Sequence, residues 1–168
     1  MEERIAEKSI ALVFALLIVV LSFFDLSEWG ICDSCNSCNR LLYPFAHSGI
    51  VHASMNAFGL LSAVFGFGVG WVCLVVAYVV AVLVPGFCFT NLPTIGASGM
   101  VYFLFALISF KVRDKWLYQL WMFGFIGIGF FFPAINSILH LYCYVAGLFF
   151  ALVTKPFRYG NKRDNKRE

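Results

Sequence analysis

The sequence predicts an all-α polytopic membrane protein, a bundle of six transmembrane helices in which the fourth is short and starts inside the membrane. Three observations predict it. The 168 residues are 61% hydrophobic and 12% charged, with a mean hydropathy of +0.86. A soluble domain is about half apolar and about a quarter charged, so this composition leaves too little polar surface to face water. The apolar residues fall into six runs with short connections, apart from a longer loop at 26–46. Finally, Lys and Arg are segregated along the chain.

The spans are expected near 9–25, 48–66, 70–87, 97–110, 116–132 and 137–154. The first run, SIALVFALLIVVLSFF, is long for the apolar part of a signal peptide. Its leader MEERIAEK carries three Glu and no small-x-small cleavage site follows, so a retained helix is expected. Residues 1–154 form the predicted core and 155–168 a basic tail. With six spans, Arg4, Lys8, Lys111, Arg113, Lys115, Lys155, Arg158, Lys162, Arg163, Lys166 and Arg167 share one side, and Arg40 alone lies on the other. An odd number of spans would scatter these charges. The positive-inside rule then predicts a multi-pass inner or plasma membrane protein with both termini cytoplasmic. The net charge of +3 is clustered in this way and implies no nucleic-acid partner. The basic tail suits membrane lipid headgroups.

Depth brings the polar residues of three spans together. Lys111 marks the inner face, and Ser98, 13 residues earlier, lies about 20 Å above it. The apolar layer is about 30 Å thick. The fourth helix is thus too short to cross, and the segment 86–97 must dip inward, which requires shielding by protein or a wet cavity. His140, 15 residues before Lys155, lies about 22 Å up. If the second helix ends near Gly66–Gly70, Asn56 lies about 15–21 Å up and His52 about 6 Å higher. One intramembrane His reads as structural, and a lone GASG reads as a small-residue helix contact. His47, His52 and His140, with Asn56 and a glycine-flanked Ser98 at one level, read as a site.

None of the nine Asp and Glu falls at that level, which argues against a Ser-His-Asp triad. Ser98 as nucleophile and His140 as base would work as a dyad. Tyr102, four residues after Ser98, shares its helix face and could stack on His140; Asn136, one turn before His140, is a weaker candidate for orienting the ring. Helix-start N–H groups near Ser98 and the donors of His52 and Asn56 could hold an oxyanion. Gly96 and Gly99 permit an unusual backbone and a close approach. No cofactor is implied. In the outer loop, CDSCNSC places Cys32, Cys35 and Cys38 at regular spacing. They could form a disulfide or redox-variable thiols, have no special role, or bind zinc together with His47. Cys73, Cys88 and Cys143 read as buried fillers.

AHSGIVHASMN (46–56), GASGMVY (96–102) and HLYCYVAG (140–147) occur in the order and on the second, fourth and sixth helices where they resemble the rhomboid family of intramembrane serine proteases, in its compact bacterial-type six-helix form. The resemblance implies Ser98 as nucleophile, His140 as general base, His52 and Asn56 as oxyanion stabilisers, His47 as support and Tyr102 as the aromatic packed on the catalytic His. It also implies cleavage of transmembrane protein substrates near the outer membrane face, without metal or cofactor. Three features depart from the pattern. Cys143 stands where the family usually has Gly, Trp29 is followed by Gly30 rather than Arg, and the acidic residue closing the second helix is missing. Two rivals are a non-catalytic rhomboid-like protein that binds transmembrane helices, and a metal-dependent membrane enzyme or transporter built on the three His. Oligomeric state is not set by the sequence.

Overall fold

The computed structural model describes residues 2–164. Among these are α1 (Glu2–Leu21), the one-turn α2 (Asn39–Leu42), α3 (Ile50–Leu61), α4 (Trp71–Val82), α5 (Ser98–Ile108), α6 (Lys115–Gly129) and α7 (Ser137–Asp164). All but α2 correspond to the six apolar runs. The architecture is an all-helical bundle.

Helix ends depart from the expected spans for local reasons. α1 stops at Leu21, where the Ser22 hydroxyl donates back to the Val19 carbonyl at 2.7 Å and the chain unwinds. α3 passes into a wider π-type turn, Ser62–Gly66. α4 stops at Val82 rather than near 87, because Pro85 lacks an N–H and disfavours helical backbone just before it. Pro133 ends α6 at Gly129 in the same way. α7 continues to Asp164, so residues 155–164 of the expected tail prolong the sixth helix. Residues 165–168 lie outside the described residues. Among the described residues, Ser137–Thr154 is the one stretch long and apolar enough to cross a membrane by length and composition; Lys8–Leu21, Ile50–Gly66, Trp71–Val82 and Ser98–Ile108 are shorter apolar helices.

α5 is the centre of the bundle. Eight of its 11 residues are buried, on all sides of the helix, as expected of a uniformly apolar core helix. α7 packs most extensively against it, and α4 and α3 flank it. α1 lies on α3 through Ala11, Ala15 and Ile18, whose spacing of four and three residues forms one buried stripe. α6 rests chiefly on α7. Tyr144 of α7 donates to Gln119 at 2.8 Å, and Tyr118 of α6 donates to the Phe105 carbonyl of α5 at 3.0 Å.

The charge segregation has a spatial counterpart. The Lys8 ammonium lies 5.3 Å from the centre of the Phe65 ring, and the Lys111 ammonium donates to the carbonyls of Phe67 and Gly68. Both cations thus gather at the end of the bundle where α3 finishes. Arg40 sits at the opposite end, donating to the Val84 carbonyl at 3.0 Å and lying 4.7 Å from the Phe89 ring centre.

The α5–α7 contact is a backbone approach. A Cβ on Gly147 would lie 2.5 Å from the Phe103 carbonyl oxygen and 2.7 Å from Ala106 Cβ. The nearest obstacle is helix backbone, which cannot swing aside. Gly147→Val should therefore destabilise the protein by about 1–3 kcal/mol, read as a lowered midpoint of thermal unfolding in detergent; an unchanged midpoint would show that α7 is not held against α5 as described.

Candidate active site

The chain between α4 and α5 is irregular. It makes a 3-10 turn at Gly86–Cys88 and runs without regular structure to Ala97. Its polar backbone is satisfied mainly from the 26–46 loop. Ile31 and Thr94 exchange both backbone hydrogen bonds, at 3.0 and 2.9 Å. Gly30 is seated so closely that a Cβ on it would lie 2.7 Å from Pro93 Cβ. The Gly96 N–H donates to the Tyr43 carbonyl at 2.8 Å. Tyr43 is fully buried, and its hydroxyl donates to the Ala81 carbonyl at 2.9 Å. Gly96 has φ +117°, a backbone region that side chains rarely tolerate.

This segment delivers Ser98 as the first residue of α5. Its hydroxyl lies 2.8 Å from His140 Nε2 on α7. The Tyr102 ring stacks on the His140 imidazole with centroids 4.4 Å apart and planes 23° from parallel. Ser98 and Tyr102 are one turn apart on α5, so one helix face presents both the hydroxyl and the ring that sets the imidazole plane. Gly99 allows this approach from the other side of the turn: a Cβ there would lie 2.9 Å from Leu139 Cδ2 and 3.1 Å from Cys143 Sγ. Cys143, fully buried, fills the space that Gly99 leaves.

The remaining predicted residues close over Gly96. His47 is buried just before α3. Its Nδ1 lies 3.2 Å from the Phe45 carbonyl, and its Nε2 accepts from the Ala97 N–H at 3.3 Å. These two bonds together fit one neutral tautomer, with Nδ1 protonated. The His52 ring lies 5.0 Å from His47, edge-on, and its Nδ1 is 3.2 Å from the Ser48 hydroxyl. A Cβ on Gly96 would lie 2.9 Å from His52 Nε2 and 3.5 Å from Asn56 Nδ2. Asn56 is buried, and its Nδ2 has no hydrogen-bond partner. A buried amide donor left unpaired costs about 1–3 kcal/mol, so this one stands ready for an acceptor. His47, His52, Asn56, Gly96, Ser98, Gly99, Tyr102 and His140 thus share one region at the Arg40 end of the bundle.

Asn136 does not orient the His140 ring. Its side-chain amide donates to the Cys88 carbonyl at 2.7 Å and to the Thr94 hydroxyl at 2.9 Å, while its carbonyl oxygen accepts from the Leu139 N–H at 3.0 Å. It caps the start of α7 and ties that helix to the segment leading into Ser98. Thr94, Tyr43 and this capping role were not anticipated. The one available cue was the Asn-Ser pair just before an apolar run, a helix-start signal.

Cys32 and Cys35 are joined by a disulfide, and Cys38 is free and exposed. Of the readings for CDSCNSC, this is the disulfide one. The zinc reading loses two thiols to the bridge, and both ring nitrogens of His47 to hydrogen bonds elsewhere. Cys73, Cys88 and Cys143 are buried.

Comparison of the chain with family models, with curated proteins and with solved structures returns no match. The site is read from its own geometry. It is a serine hydroxyl at a helix start, hydrogen-bonded to an imidazole on a neighbouring helix, beside an unpaired amide donor. Such a set can deprotonate the hydroxyl for attack on a carbonyl and hold the resulting oxyanion. Replacing Gly96 by Ala should push the His52 ring aside and strain the turn. We expect a stability loss of about 1–3 kcal/mol and displaced His52 ring resonances in NMR spectra; unchanged His52 resonances would mean that the imidazole does not rest on Gly96.

Proposed function

We propose that this protein is a rhomboid-type intramembrane serine endopeptidase that cleaves transmembrane segments of other proteins with a Ser98–His140 dyad. The observation that carries the reading is the 2.8 Å hydrogen bond between Ser98 Oγ and His140 Nε2, made across two helices with Tyr102 stacked on the base.

A membrane setting is supported by the outer surface. Val13 and Leu16 of α1, Met55 and Phe58 of α3, Trp116 and Leu120 of α6 and Phe149 of α7 are all well exposed, with Trp116 at 88%. Apolar faces spread over so many helices exceed what a water-soluble monomer carries, and lipid accounts for them. The cations of Lys8 and Lys111 at one end and Arg40 at the other fit a cytoplasmic placement of both termini.

In the reaction, a substrate helix approaches from the side, between α3 and α6, and unwinds locally to free its scissile carbonyl. The neutral His140 imidazole takes the Ser98 proton as Oγ attacks the carbonyl carbon. The new oxyanion accepts hydrogen bonds from Asn56, His52 and a backbone N–H at the start of α5. Protonated His140 gives its proton to the leaving amine. It then takes one from water, which releases the acyl group from Ser98 and restores the hydroxyl. Catalysis by the dyad needs no carboxylate if Tyr102 holds the imidazole plane.

The deciding measurement is cleavage of a transmembrane substrate in liposomes by purified protein. Ser98→Ala and His140→Ala should abolish it while the thermal midpoint and membrane insertion persist. Retained cleavage by Ser98→Ala would falsify the assignment, and a wild type that binds substrate helices without cutting them would favour a helix-binding role. Asn56→Ala should slow turnover by roughly 10- to 1000-fold, around the range for losing one oxyanion donor. Its folding stability should hold or rise, because the substitution removes an unpaired buried donor.

A further inference from the structure

The outer loop holds chemistry that the dyad does not use. Cys32, Cys35 and Cys38 recur every three residues in a stretch otherwise made of Asp33, Ser34, Asn36 and Ser37. The bridge joins the first two, and the third is an exposed free thiol. Cys32 is buried, Cys35 partly exposed and Cys38 exposed. Cys38 has the same sequence distance to Cys35 as Cys32 has. A Cys35–Cys38 bridge would therefore close a loop of equal length, and chain entropy does not favour one bridge over the other. An accessible thiol beside a bridge of equal span is the arrangement in which thiol–disulfide exchange proceeds without any outside oxidant or reductant.

The two bridges differ in what they brace. Cys32 follows Ile31, whose backbone pairs with Thr94, and Thr94 accepts from Asn136 at the cap of α7. Cys38 precedes Asn39, whose side chain donates to the carbonyls of Glu28 and Gly30 at 2.7 and 2.8 Å. The present bridge thus stiffens the chain next to the Ile31–Thr94 pair. Moving it one step along would leave that side with the Asn39 hydrogen bonds to Glu28 and Gly30 but without its covalent brace.

We propose that Cys32, Cys35 and Cys38 form a thiol–disulfide exchange site on the outer loop, and that the position of the bridge governs how firmly the segment 93–97 is held beneath Ser98. In the exchange the Cys38 thiolate attacks Cys35 Sγ. The Cys35–Cys38 bond forms, the Cys32–Cys35 bond breaks and Cys32 leaves as a thiolate. The proton given up by Cys38 is regained by Cys32, and no electrons are gained or lost. The bridge at Cys32 is the clamped form and the bridge at Cys38 the loosened one. The effect on cleavage rests on the protease reading above; the exchange and its effect on the segment do not.

The full chain, purified without reductant at low pH, would be held at about pH 8, where thiolates form, and then alkylated with N-ethylmaleimide and mapped by mass spectrometry. Label should lie on Cys38 at the start and appear on Cys32 with time, which a Cys38→Ser control cannot show. No label on Cys32 beyond that control overturns the exchange site. Hydrogen exchange of the peptide covering 93–97 would compare Cys32→Ser, restricted to the Cys35–Cys38 bridge, with Cys38→Ser, restricted to the present one. The Cys32→Ser protein should exchange about tenfold faster there; equal rates overturn the coupling. Cleavage should fall in Cys32→Ser and persist in Cys38→Ser. A protein that cuts nothing yet shows the label shift and the faster amide exchange supports the exchange site and counts against the protease reading alone.

Discussion

Ser98 and His140 share a hydrogen bond because α5 and α7 meet backbone against backbone. Gly147 lets α7 rest on the Phe103 carbonyl, and Gly99 lets the first turn of α5 accept Leu139 and Cys143. A larger residue at either position would part the helices, and the hydroxyl and imidazole would separate with them. A hydrogen bond weakens steeply beyond its normal length. The chemistry at one end of this helix pair is therefore set by packing along its length. Small residues at such a contact let two helix backbones approach closely and gain van der Waals packing along their length. Cys143 shows how the contact tolerates a sulfur: the volume it adds on α7 is the volume that Gly99 withholds on α5.

A short central helix creates a second requirement. α5 begins inside the bundle, so the chain must turn inward at the buried Gly96 and Ala97 without helical hydrogen bonds of its own. Unpaired buried backbone groups are costly, and the 26–46 loop supplies the partners. Ile31 pairs with Thr94, the Tyr43 carbonyl takes the Gly96 N–H, and Arg40 takes the Val84 carbonyl. Asn136 then binds the same segment to α7. The loop is thus a structural part of the site, holding the approach to Ser98 at Thr94 and Gly96. The Asn56 amide, buried beside Gly96 with nothing to donate to, is a local loss of stability in this same region.

The helices, their order and most of the residues that meet around Ser98 were legible in the sequence. Helical apolar runs announce themselves by length and composition but not by where they stop: the expected span 70–87 ran past Pro85, which ends α4 at Val82. A fixed rise per residue turned distance from Lys111 and Lys155 into depth, and depth alone put Ser98, His140, His52 and Asn56 at one level. What depth cannot supply is azimuth, the direction in which each side chain leaves its helix. For that reason Asn136, one turn from His140, stood beside Tyr102 as a weaker candidate for orienting the imidazole, whereas it bonds to Cys88 and Thr94 and caps its own helix.

The sequence by itself determined what could be read along one dimension: an all-helical apolar bundle, a short fourth helix, charges sorted to its two ends, and a serine and histidine at matching heights. Only the tertiary structure decided which groups touch. Those are the Ser98–His140 bond, the Tyr102 stack, the Cys32–Cys35 bridge chosen among three cysteines of equal spacing, and the loop that clamps 93–97. Each joins residues far apart in the chain or selects among equivalent ones. Neither outcome is encoded in local propensity or periodicity, and both depend on how the helices rotate and pack against one another.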